Sequence, residues 1–423
     1  MMFVGLKNAM FPQLKVEDVR VQRILGVESP LFLGRAAAKV CISGEFLQRR
    51  QLIINGHACG FDEPNVRVRA LAELVERLSP YVMQREFLPL HRGTVVQMSQ
   101  GSNRIILKPE SLMHFSSEQR ASLKIPCLTS HSVFSWLEAN RVTTGEKAWV
   151  PASAVFPHWI PPQDEERFFH SNGIGLAAHE ALDRALLSAT RELVERDVCT
   201  LAWRIPGWPV WELETSAFLS PRVAEATKRN ALSVRLFASC SPTLPPALIA
   251  LVFRGSDYEE LTCGTSCGEL NNSTAEKALS EAMMLQWTAR QFDGKRDSVT
   301  SEIPTTFLDH VLWAFHHGPD VVHWFRSQAD KNRLQRIPPS PNTLVGLAEG
   351  IENNAKAPLL FVDLTNDLST QVGMHVVCAI NANLMRPEMD GTLPYLGGSR
   401  LLDMVEKWKI QGETLNLLPH PFG

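Results

Sequence analysis

The sequence predicts a mixed α/β fold of the α+β kind with an internally duplicated, helix-bearing core. The pentapeptide Glu-Leu-Val-Glu-Arg occurs twice, at residues 73–77 and 192–196, each time closing a stretch with helical hydrophobic spacing. Apolar strand-like runs, among them Ala247 to Phe253, Leu359 to Leu364 and His375 to Ile380, lie between the helical stretches. With 44% hydrophobic and 21% charged residues, a chain of 423 residues has ample core.

Taken in order, residues 1–55 mix short strand runs (Val40 to Ser43, Leu52 to Ile54) with charged turns. Gly56-His57-Ala58-Cys59-Gly60 reads as a loop before a helix over about Asn65 to Leu78, which Pro80 should stop. Thr94 to Met98 and Ala148 to Val150 read as strands, and Pro157, Pro161 and Pro162 as the link between two lobes, approximately 1–160 and 161–412, of one domain. Gly173-x-Gly175-x-x-Ala178 is a loose dinucleotide fingerprint whose preceding run, Glu166 to His170, is a poor strand. Beyond the second pentapeptide, Leu232 to Phe237 pairs with Ala247 to Phe253, and a helix spans about Thr274 to Phe292. Residues 413–423 form a tail in which Pro419 and Pro421 favour an extended, pre-ordered backbone.

A formal charge of −3 and a pI near 6.5 supply no basic field for nucleic acid or an acidic membrane surface. The N-terminus lacks a secretory pattern and no run of 18 apolar residues occurs, so the reading is cytoplasmic. Eight cysteines lack the paired Cys-x-x-Cys spacing of structural zinc and read as reduced, packed thiols. His316-His317 reads as structural or surface.

Glu-x-x-Glu sets two carboxylates about 60° apart around a helix axis. In the second copy Leu182, Ala185, Leu186, Ala189 and Leu193 make a buried stripe flanked by Glu192 and Glu195. One reading is a solvated helix face carrying i, i+4 pairs such as Glu73 with Arg77. The other brings four carboxylates to one half-buried site, where they need a cation, and hard oxygen donors favour Mg2+, which usually comes with phosphates. Lys277 and Glu281, four apart, pose the same choice between an exposed pair and a phosphate and metal contact. No G-x-x-x-x-G-K-[ST] sequence exists, so any ATP site lies outside the P-loop fold.

In order along the chain, the glycine loop with its Glu-x-x-Glu-Arg helix, Trp149-Val150-Pro151-Ala152, Ser171-Asn172-Gly173 with Glu-x-x-Glu-Arg-Asp197, Lys277 to Ala282, Asp363-Leu364-Thr365 and Gly397-Gly398-Ser399-Arg400-Leu401 resemble the YcaO family. The terminal Pro-His-Pro-Phe-Gly is similar to the tail of its azoline-forming cyclodehydratases. The resemblance implies a YcaO fold with ATP between the duplicated helices. It implies Mg2+ on Glu73, Glu76, Glu192, Glu195 and Glu281, with Arg77, Arg196 and Lys277 as phosphate or supporting partners. Three positions depart from the family pattern: Cys59 replaces the lysine of Gly-Lys-Gly, Glu180 replaces an asparagine, and Arg184 replaces an acidic ligand, with Asp183 beside it. Glu180 or Asp183 is expected to supply the missing carboxylate.

The implied reaction converts Cys, Ser or Thr of a ribosomally made precursor peptide to thiazoline or oxazoline by phosphorylating the backbone amide oxygen. The Gly423 carboxylate, positioned by Pro419 and Pro421, is the implied base. Implied partners are a separate ubiquitin-activating-like, leader-peptide-binding protein and a flavin-dependent azoline dehydrogenase. A thioamide-forming or ribosomal-modification enzyme and a non-catalytic scaffold are the alternatives.

Overall fold

The computed structural model describes residues 14–16, 19–25, 30–44, 47–86, 90–100, 103–125, 127–157, 159–165, 168, 171–293, 304–331, 341, 343–407 and 414–422. In chain order the elements are β1 (Leu14–Val16), β2 (Arg20–Arg23), β3 (Phe32–Gly44), β4 (Leu47–Gly60), α1 (Glu63–Glu86), β5 (His91–Thr94), α2 (Val95–Ser99), β6 (Ile105–Ile106), α3 (Ser117–Ser122), β7 (Val133–Arg141), β8 (Lys147–Pro151) and α4 (Ala152–Val155). The chain continues with β9 (Leu176–His179), α5 (Leu182–Arg204), β10 (Val210–Leu213), α6 (Pro221–Arg229), β11 (Ser233–Ser239), β12 (Ala247–Arg254), β13 (Glu259–Cys267) and α7 (Asn272–Phe292). It closes with α8 (Phe307–His316), α9 (Gly318–Lys331), α10 (Leu344–Ala355), β14 (Leu360–Asp363), α11 (Asp367–Gln371), β15 (His375–Ile380) and α12 (Ser399–Lys407).

Three sheets carry the fold. β3 pairs with β1, β2 and β4; a second sheet runs β10-β11-β12-β13; the third runs β6-β8-β7-β14-β15-β9, with β5 also on β7. Strands from both expected lobes share this third sheet, through the antiparallel register Leu360 to Arg141 and Phe361 to Asn140. Each sheet is covered by one long helix: α1 lies on β3 and β4, α5 on β9 and β15, and α7 on β12 and β13. Leu31, Leu33, Cys59 and Phe61 from the first sheet share a core with Ala275, Ala278, Leu279 and Met283 of α7, which joins first sheet to second.

Three local expectations are corrected. Gly56 to Gly60 is not a loop but the end of β4, in register with Phe32 to Ala36 of β3. α1 does not stop at Pro80: Leu78 and Met83, on either side of it, are buried, and the Ser79 hydroxyl bonds the Val75 carbonyl at 2.9 Å. Burial on both sides outweighs the ~3 kcal/mol that an interior proline costs. Of the expected strand Thr94 to Met98 only Thr94 is in a strand, as the end of β5, and Val95 to Met98 begin α2, because Thr94 and Gln97 close a capping box. The poor-strand segment Glu166 to His170 lies, apart from Phe168, outside the described residues. Among the described residues no helix is long and apolar enough to cross a membrane.

Candidate functional site: a ring of glutamates on three helices

Two of the covering helices, α1 and α7, lie across their sheets at a glycine, and all three carry a glutamate 17 positions after a glycine of the strand or turn beside them. A Cβ on Gly56 of β4 would collide with the Ala70 carbonyl and Leu74 nitrogen of α1, and one on Gly264 of β13 with the equivalent Ala278 carbonyl and Ala282 nitrogen of α7. Only glycine permits that backbone approach. A Cβ on Gly175, ahead of β9, would instead collide with the Ala379 carbonyl of β15 and meet α5 only at the Leu193 side chain. The three glycine-to-glutamate spacings are identical: Gly56 to Glu73, Gly175 to Glu192 and Gly264 to Glu281 each span 17 positions. The two pentapeptides are therefore two members of a threefold arrangement, and the third lacks the pentapeptide.

The glutamates bond in a regular pattern. Glu73 accepts from the His57 amide (3.1 Å), Glu192 from the Gly175 amide (3.0 Å) and Glu281 from the Thr265 amide (3.0 Å), so each is latched to its own sheet. The second glutamate of the pentapeptide reaches the next sheet: Glu76 accepts from the Ala178 amide of β9, and Glu195 from the Thr265 hydroxyl of β13 at 2.6 Å. In α7 the equivalent position is Met284, packed in the core that contains Cys59. The ring is thus acidic at the seams between α1 and α5 and between α5 and α7, and apolar where α7 returns to β4.

Burial governs the electrostatics. It raises the Glu76 carboxyl well above its ordinary range, with Glu192 and Glu73 adding repulsion. Burial likewise raises Glu73 and Glu192, against the opposing pull of Arg77 and Arg196 respectively, and raises Glu281 to about 7. Burial alone would lower the Arg196 guanidinium, but Glu195, Glu192 and Glu281 override it and raise its pKa. Arg77 is ion-paired with Glu73, and Arg196 lies 3.9 Å from Glu192. Lys277 is exposed one turn before Glu281.

Glu281 provides a signed test. Its folded pKa is above its unfolded value, so between about 4.5 and about 7 the folded chain holds the extra proton and stability from this group falls as pH rises. Glu281→Gln should therefore gain on wild type in melting temperature across that window without nucleotide. A gap that stays constant with pH would refute it.

The structure brings Glu73, Glu76, Arg77, Glu192, Glu195, Arg196, Lys277 and Glu281 to one ring. Glu180 stands apart, exposed in the turn between β9 and α5; Asp183 and Arg184 are also exposed. Neither Glu180, in the turn, nor Asp183, in the first turn of α5, joins the buried carboxylates as expected, because both face solvent. Sequence reasoning missed Thr265, which grips two glutamates at once, although the 17-residue spacing was available to find its strand.

The donor set suits Mg2+, which takes one or two carboxylates and fills its remaining positions with phosphate and water. The five carboxylates are spread along the seams on amide and hydroxyl donors, and among the described residues no three His, Cys, Asp or Glu side chains converge into a ligand group of their own.

The tail ends beside this ring. Arg204 of α5, ion-paired with Glu388, donates to the carbonyls of Asn416 (2.6 Å) and Leu418 (2.9 Å), and the Trp203 indole N–H also reaches Leu418 at 3.0 Å. His420 stacks on His310 of α8 with centroids 3.8 Å apart and planes 7° from parallel. Pro419 and Pro421 are buried, and Phe422 forms a parallel bridge to Cys263, two residues before Thr265. Gly423 lies outside the described residues.

A family model described as YcaO cyclodehydratase, ATP- and Mg2+-binding, matches residues 58–384. The chain belongs to the YcaO family. ATP and Mg2+ are the cofactors of that family. The fold of this YcaO chain also resembles solved structures. A heterocyclase in complex with substrate and cofactor superposes with TM-score 0.70 at 19% identity, covering 96% of this chain and 55% of its own. YcaO from Methanopyrus kandleri bound with AMPPCP and Mg2+ gives 0.56 at 16% identity, covering 90% and 88%. The E. coli microcin synthetase McbBCD complex with pro-MccB17 bound gives 0.64 at 13% identity, covering 96% of both chains. At sequence level, a protein of Methanothermobacter thermautotrophicus is 37% identical over 81 residues, 19% of this chain and 21% of that protein. The chain thus spans about half of the first heterocyclase and aligns with a fifth of the archaeal protein.

Proposed function

We propose that this YcaO protein is an ATP-dependent cyclodehydratase that forms thiazolines or oxazolines in a ribosomally made precursor peptide. The observation that carries the reading is the seating of Phe422, at the end of the tail, against the strand whose Thr265 holds Glu195 and Glu281. In that reaction a Cys, Ser or Thr side chain of the peptide adds to the preceding amide carbonyl, and the oxygen leaves as phosphate, with ATP as phosphoryl donor and Mg2+ stabilising the transferring charge. Glu73, Glu76, Glu192, Glu195 and Glu281 would hold the metal. Arg77, Arg196 and Lys277 offset the surrounding negative charge and would meet phosphate oxygens. The amide and hydroxyl latches fix the carboxylates before anything binds, so no reorganisation is needed at the moment of reaction. In this reading the Gly423 carboxylate accepts the proton of the attacking side chain, and the bond from Arg204 to Leu418 and the His310–His420 stack hold the tail.

A separate leader-binding protein would deliver the peptide, and a flavin-dependent dehydrogenase would oxidise the azolines. The McbBCD likeness supports an assembly of this kind. The decisive experiment incubates precursor peptide, ATP, Mg2+ and partner with wild type or with Glu192→Gln/Glu195→Gln. Mass spectrometry should register one water lost per ring with wild type alone. Calorimetry should find ATP bound at least about tenfold more weakly by the variant, the scale of one lost charge-assisted contact. Oxygen-to-sulfur exchange in place of water loss would move the assignment to thioamide formation, and absence of ATP binding with partner present would leave a scaffold.

A further inference from the structure

We infer that Arg69 is a nucleotide-phosphate contact, supplying at the end of β4 the positive charge that Cys59 does not; the inference rests on the ATP reading above. Cys59 is 4% exposed and packs among Leu31, Leu33, Ala275, Ala278 and Leu279, in the core joining the first sheet to α7. A side chain leaving β4 there enters apolar core, and a lysine would have to bury its ammonium. The positive charge comes from the helix instead. Arg69 of α1 is exposed, donates its Nη1–H to the Cys59 carbonyl at 3.1 Å and passes over Gly60, where a Cβ would stand 3.6 Å from the same nitrogen. The guanidinium therefore lies against the strand backbone at residue 59 with further N–H donors in its fork.

Its place in the threefold arrangement supports the same role. Arg69 precedes Glu73 by four residues, as Lys277 precedes Glu281, whereas Ser188 holds that position before Glu192. The charges of Arg69 and Glu281 both act on Cys59, and that of Arg69 also on Glu73, so the guanidinium stands near the place where α7 approaches β4. This seam has Met284 where the other two have Glu76 and Glu195. Two acidic seams suit a metal, and a seam carrying Arg69 suits the polyphosphate charge that the metal leaves uncompensated. A planar fork also matches phosphate better than a point charge.

The test is calorimetric titration of the full chain with its partner, in Mg2+, using ATP and AMP against wild type, Arg69→Gln and Arg69→Lys. Arg67→Gln, on the same helix but bonded to the Val19 carbonyl, is the control. Arg69→Gln should weaken ATP about tenfold or more, with Arg69→Lys intermediate, AMP nearly unchanged and the control equal to wild type. Equal ATP affinity in wild type and Arg69→Gln would overturn the inference and leave the ATP site standing. Parallel loss of ATP and AMP would also overturn it, by reducing Arg69 to a strap on β4. Failure of wild type to bind ATP would remove the ATP reading and this inference with it.

Discussion

Asp197→Ala should cost about 3–5 kcal/mol of folding stability, the scale for breaking a buried ion pair and leaving its partner charged. Asp197 follows the second pentapeptide directly, and its side chain and that of Arg400 are both fully buried. Arg400 Nε lies 2.7 Å from each carboxylate oxygen, and the Met385 amide donates to the same carboxylate at 2.8 Å. The rest of the guanidinium bonds the Ser241 hydroxyl (3.0 Å) and the Asn354 carbonyl (3.2 Å). One pair therefore ties α5, which carries Glu192 and Glu195, to α12, to the β11–β12 turn and to the end of α10. Removing the carboxylate strands a guanidinium with no water to solvate it. Denaturant unfolding should resolve the loss, and Asp197→Asn should lose nearly as much, since the amide keeps the shape and drops the charge. The double variant Asp197→Leu/Arg400→Met should recover part of it, because an apolar replacement removes the stranded charge. Single variants within about 1 kcal/mol of wild type would mean that the pair is not what holds α5 in place.

Much of this site was legible from the pentapeptides, because a buried stripe with carboxylates on its flank is a periodic signal that one helix carries alone. The strands His375–Ile380 and Ala247–Arg254 were legible for a similar reason, as apolar runs buried in their sheets. The third helix was legible only as Lys277 and Glu281. Its kinship with the other two lies in Gly264, a close approach of backbones, and an isolated glycine in sequence looks like a turn. The same ambiguity turned Gly56 to Gly60 into a loop, although Gly56 is there to let α1 cross. Capping chemistry at Thr94 outweighed the β-branched Val95-Val96 pair that suggested a strand. The tail clamp was out of reach altogether: Arg204 and Glu388 are 184 positions apart, and nothing local in either marks the other.

That clamp carries the largest expected effect on rate. His310→Ala should lower turnover on the order of a hundredfold, the cost of a reacting group misplaced by about 1 Å, while ATP affinity stays at the wild-type value. His310 sits between two carbonyls, with Nδ1 3.0 Å from that of His420 and Nε2 3.1 Å from that of Met389; as a neutral imidazole it donates to one of them, while His420 Nε2 bonds the Glu388 carbonyl at 2.7 Å. The imidazole of His310 thus fixes the residue two places before Phe422, yet it belongs to α8 and contributes nothing to the ring of glutamates. Losing it should free the tail without emptying the ATP site. Burial lowers the pKa of both imidazoles, so the clamp's contribution to stability is complete above the ordinary histidine value of about 6.5 and is lost as pH falls through the lowered folded values. Turnover by mass spectrometry, ATP affinity by calorimetry and hydrogen exchange across residues 414–422 separate the possible outcomes. Slow turnover with normal ATP affinity and faster exchange confined to the tail supports a positioning role. Normal turnover despite fast tail exchange would remove the tail from the chemistry, and a parallel fall in ATP affinity would mean that His310 holds the ring rather than the tail.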